Sequence, residues 1–88
     1  MGTGGAERCN TMPTVLRVGA YRFTFYAADR VEPEHIHVWR GNSSTKFWLN
    51  PVRLANGQGF SARDLAAIER IIGERREQLL EAWHDYFD

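Results

Sequence analysis

The periodicity of the chain changes character once, between Leu54 and Ser61, and that change sets the fold class. Before it, apolar residues fall in short alternating runs separated by turn-forming residues, the pattern of strands. After it, Leu65, Ile68, Ile72, Leu79, Trp83 and Tyr86 recur at helical spacing, with Ile71, Leu80 and Phe87 widening the stripe. A set of strands followed by a helix predicts an α+β fold. The expected architecture is an antiparallel sheet of about four strands. One face is covered by a long C-terminal helix, bent or broken near Gly73, where Arg75 and Arg76 also interrupt the stripe.

The strands follow in order. Val15–Val18 is the first, and Gly19-Ala20 is short enough for a tight antiparallel hairpin to a second over Tyr21–Ala27. Alternation puts Tyr21, Phe23 and Phe25 on the expected core side, and Arg22, Thr24 and Tyr26 on the other. Asp29 to Glu34 is an acidic loop broken by Pro33. The third strand runs from His35 to Arg40, and Gly41 to Ser44 is a turn cluster. Thr45–Leu49 is the fourth strand, ended by Asn50-Pro51, with a short extra strand conceivable at Val52–Leu54. Ser61 is placed to cap the helix with Asp64 answering, and Phe60 to pack on Leu65 as a staple.

The 88 residues suit one domain, expected over 12–88. Residues 1–11 have no periodicity and are expected as a disordered tail, Met12-Pro13-Thr14 looking like a natural start. The single cysteine, Cys9, cannot form an internal disulfide, so nothing demands an oxidising compartment. No apolar run is long enough to span a bilayer, no signal-peptide core opens the chain, and a cytoplasmic location is expected. Net charge is zero but unevenly spread. Residues 12–60 hold six basic against three acidic residues, and residues 61–88 hold four against seven. Such asymmetry points to partners of opposite sign.

The chemically pointed stretch is His35-Ile36-His37-Val38-Trp39-Arg40. Strand alternation puts His35, His37 and Trp39 on one face and Ile36 and Val38 on the other. Two imidazoles about 6–7 Å apart can serve as general acid and base in RNA cleavage, with Arg40, Arg22 or Lys46 neutralising phosphate. They can also aim at one metal ion, with Asp29, Glu32 or Glu34 supplying oxygen. A third reading keeps them as half-exposed strand residues that hydrogen-bond to their neighbours. Trp39, Trp48 and Tyr26, interleaved with Arg17, Arg22 and Lys46, suit single-stranded nucleic acid. Equally, a second copy of the chain could cover them, and a homodimer is expected because the aromatic area exceeds what one helix covers. No cofactor is expected. Glu77, Glu81, Asp85 and Asp88 line one side of the last turns, as a solvated face or a docking strip for a basic partner.

Met12–Arg17, Gly19–Phe25, His35–Val38, Lys46–Leu49, Phe60–Leu65 and Leu80–Phe87 together resemble a family of short bacterial proteins filed as domain of unknown function 4160. The resemblance covers nearly all of residues 12–87. It implies no established activity. It does imply a setting beside a second small protein, in pairs that look like toxin–antitoxin modules. Where family members often carry a second proline, or Asn and His, this chain has Asp29-Arg30-Val31-Glu32-Pro33-Glu34. The expected function is a module of such a pair, acting through a macromolecular partner and RNA-directed through the exposed sheet face. The alternatives are a non-enzymatic interaction module or the antitoxin half, and a small metal- or ligand-binding protein. The residues leave catalysis and plain binding both open.

Overall fold

Three two-residue turns decide the sheet. Gly19-Ala20, Gly41-Asn42 and Asn50-Pro51 each join a strand to its sequence neighbour. Gly19 and Gly41 have φ of +58° and +59°, a left-handed region that a side chain would strain. The computed structural model describes residues 14–26, 31–57 and 59–87. The expected tail over 1–11 with Cys9, the start at Met12-Pro13, and Ala27, Asp29 and Asp88 lie outside the described residues, while the second strand, expected as far as Ala27, already ends at Thr24, with Phe25 and Tyr26 outside the ladder.

The strands are β1 (Thr14–Val18), β2 (Tyr21–Thr24), β3 (His35–Arg40), β4 (Ser43–Leu49) and β5 (Val52–Asn56). They form a five-stranded antiparallel sheet in the order β1-β2-β3-β4-β5. The sequence predicts about four strands, and the short run at Val52 proves to be the fifth. Asn50-Pro51, read as a terminator, is instead a hairpin turn that pairs Leu49 with Val52. β4 begins at Ser43 because the turn before it needs only Gly41 and Asn42.

Two helices follow, α1 (Ala62–Glu74) and α2 (Arg76–Phe87). The break falls at Arg75, just past the expected Gly73, where the Arg75 N–H donates to both Ile71 O and Ile72 O. Ser61 caps α1 as expected, its Oγ accepting from the Asp64 N–H at 3.0 Å. Asp64 does not close a reciprocal box. Its carboxylate accepts from the Tyr21 hydroxyl at 3.2 Å and from Arg40 at 3.1 Å, tying the start of α1 to the sheet.

One sheet face is therefore covered. Phe23, Phe25, Ile36, Val38, Phe47 and Leu49 are buried with Ile68 and Ile72 of α1 and with Leu79 and Trp83 of α2. At about 25 cal/mol per Å² of apolar surface, this cluster is the main stabilising term. α2 runs along one end of the sheet. Arg76 donates to Leu49 O at the end of β4, His84 lies 3.6 Å from Glu34, and Trp83 meets Phe25 edge-on at 5.3 Å between centroids. Among the described residues, no helix is long and apolar enough to cross a membrane.

Candidate functional site

The register assembles the uncovered sheet face in rows across the strands. Arg17, Arg22, Trp39 and Ser44 form the first row. Thr24, His37 and Lys46 form the second, and His35, Trp48 and Arg53 the third. Each row mixes cations with rings, and the rings are held by the cations. The Arg22 guanidinium stands 5.9 Å from the Trp39 ring centroid, and the Lys46 ammonium 4.6 Å from that of Trp48. The Trp39 indole N–H donates to Thr24 Oγ1 at 3.2 Å, which fixes its plane. Lys46 also pairs with Glu32 at 2.6 Å, so its charge is partly offset at the middle of the face.

The two histidines differ in what surrounds them. His35 has no exposed surface. Its ring lies 5.2 Å from Trp83 and 5.6 Å from Trp48, centroid to centroid. Alternation assigns His35 to the open face, but it is the first residue of β3, at the sheet end that α2 crosses. There Trp83 of the covering helix packs against its ring. The His35 Nδ1 lies 2.9 Å from Pro33 O, and a carbonyl can only accept, so the proton sits on Nδ1. Glu32 is 3.7 Å from the same nitrogen. His37 is half-buried and lies on the face, against Tyr26 at 4.2 Å and edge-on to His35 at 5.1 Å. A ligand on this face thus meets His37 directly, with His35 as the packed ring beneath it.

Of the expected site residues, the fold brings together Arg17, Arg22, Trp39, His37, Tyr26, Lys46 and Trp48. Arg40 is not among them. It shares parity with Ile36 and Val38, and its guanidinium reaches Asp64 on the helix side. Among the described residues, no group of three or more His, Cys, Asp or Glu gathers as a metal cluster would. Two depressions bound the face. One, of about 250 Å³, is lined by Arg17, Ala20, Arg22, Trp39 and Gly41. The other, of about 260 Å³, is lined by Pro33, Trp48, Asn50, Pro51 and Arg53. The sequence reading missed Asn50 and Arg53. A two-residue turn at Asn50-Pro51 pairs Arg53 with Trp48, and reading it so would have found both.

Nothing among curated proteins or solved structures matches the chain. The family model described as domain of unknown function (DUF4160) matches residues 20–84, a span that runs from the turn after β1 into the last turns of α2 and includes most of the rowed face. The chain belongs to the DUF4160 family.

Proposed function

We propose that the protein is the RNA-directed module of a two-protein, toxin–antitoxin-like pair, and that it binds single-stranded RNA across the helix-free sheet face. The observation that carries the reading is the interleaving of indoles with cations in adjoining rows: Arg17, Arg22 and Trp39 in one, Lys46 in the next, Trp48 and Arg53 in the third. Bases stack on aromatic side chains for about 1–3 kcal/mol each, without needing a particular sequence. Arginine and lysine beside them neutralise phosphates and release counterions. The pairing with a second small protein rests on family resemblance.

Binding is the better-supported half of this reading, because only one histidine reaches the face. Where RNA is also cut, His37 is the ring placed on the face to exchange a proton with the substrate, and His35 packs against it. The test is fluorescence anisotropy of a labelled single-stranded oligoribonucleotide in low salt. The wild type should bind, more weakly as salt rises, and Trp39→Ala should lose about tenfold or more in affinity. Absence of binding at low salt would overturn the reading.

A further inference from the structure

The depression at the Asn50-Pro51 turn contains a feature that the stacking face alone does not explain. Its polar groups are sorted by hydrogen-bonding type. Arg76, at the start of α2, reaches around the end of β4. Its Nε donates to Leu49 O at 3.0 Å and one terminal nitrogen donates to Asn50 Oδ1 at 2.8 Å. Arginine has donors only, so the Asn50 amide is oriented without ambiguity, oxygen toward Arg76 and nitrogen on the other fork. With that oxygen engaged, Asn50 acts toward the depression through its NH2. Arg53, the other polar side chain lining the depression, is also donor-only. Trp48 supplies an aromatic surface beside them, braced edge-on by His35 at 5.6 Å and by Lys46.

Resting on the RNA-binding reading, we infer that this depression is a nucleobase subsite that selects guanine over adenine. A base laid against Trp48 presents its edge to Asn50 and Arg53. Guanine offers two adjacent acceptors, O6 and N7, which suit a donor-only site. Adenine offers N7 beside an amino group that must donate. An asparagine normally accommodates adenine by accepting through its oxygen and donating through its nitrogen. Here Arg76 already holds the oxygen by one hydrogen bond, so the adenine amino group has to share that acceptor with a guanidinium while it faces Arg53, which only donates. About 260 Å³ at the site is room for one base and not for a duplex. Selection is thus built from the second helix, through a residue that never touches the RNA.

The test compares short, otherwise uridine-only single-stranded RNAs carrying one guanine or one adenine, read by anisotropy. Wild type should favour the guanine oligonucleotide about tenfold. Asn50→Asp keeps an oxygen for Arg76 but turns the opposite fork from donor to acceptor. The added charge weakens both complexes, so the guanine-to-adenine ratio is the readout, and it should fall to about one or below. Arg53→Gln, at an exposed position, should also lower the ratio and guards against a folding defect in the first variant. Thermal unfolding is followed for both. If RNA binds and Trp39→Ala weakens it, but wild type shows no guanine preference, the subsite falls while the RNA-binding reading stands. A preference that survives both variants also overturns the subsite. If neither oligonucleotide binds, both readings fall together.

Discussion

His35 and His37 share a strand and a side-chain type, yet they have different physical roles. His35→Ala empties fully buried space against Trp83 and Trp48 and should cost about 2–5 kcal/mol, the range for large-to-small core changes. His37→Ala removes a half-buried ring and should cost about 1 kcal/mol or less. Urea unfolding of the two variants checks this, and equal losses would contradict the assignment of one ring to the core. Tyr21 gives a pH test. Burial raises its hydroxyl pKa first, the hydrogen bond to Asp64 and that carboxylate's charge add to the rise, and Arg40 opposes it. A raised folded pKa means a contribution intact below the unfolded value of about 10 and lost as pH climbs through the folded value. Tyr21→Phe should therefore lose less stability than wild type as pH rises above about 10, as read by urea midpoints. The division of the histidines was not legible in the sequence, because alternation describes the middle of a strand and His35 is at an end. The sequence reading groups Arg40 with the phosphate-binding cations of the open face, although its parity with Ile36 and Val38 points to the core side, where it meets Asp64.

At the scale of elements, the two helices do different work. α1 lies on the sheet with its N-terminus fixed by Ser61 and by the Asp64 contacts to Tyr21 and Arg40. Ser61→Ala should cost about 0.5–2 kcal/mol, the loss of a cap. Ile72→Ala should cost about 2–5 kcal/mol because that side chain has no exposure at all. A thermal melt that left either unchanged would contradict the packing described. Strand and helix periods were both legible, and so were the Gly19-Ala20 hairpin and the break near Gly73. What the periods do not carry is the direction in which a second helix leaves a break. That direction is set by Arg75 and by Arg76 docking on Leu49 O, contacts between residues far apart in the chain. The fate of the open face turns on the same point: its composition could be read, but its rows needed the register.

For the whole molecule, one covered face and one open face leave a thin core, and partner surface commonly supplements such a core. A homodimer through the open face, expected from the aromatic content, would use the same Trp39 and Trp48 that the RNA reading requires. Sedimentation with and without RNA separates these uses: RNA should dissociate any dimer formed through this face. The strand order has a further consequence, in kinetics. In a meander every ladder joins neighbours in the chain, so the sheet closes only short loops as it forms. The ring contacts of Phe25 with Trp83 and Phe87 instead join the first hairpin to the last helix turns, closing most of the described chain. Loop entropy makes these the contacts expected to form after the barrier is crossed. Trp83→Phe should then speed unfolding several-fold and leave the folding rate nearly unchanged in a chevron analysis. On that outcome the last helix is a latch in time: its docking sets how long the native state persists, while the sheet sets how quickly it is reached.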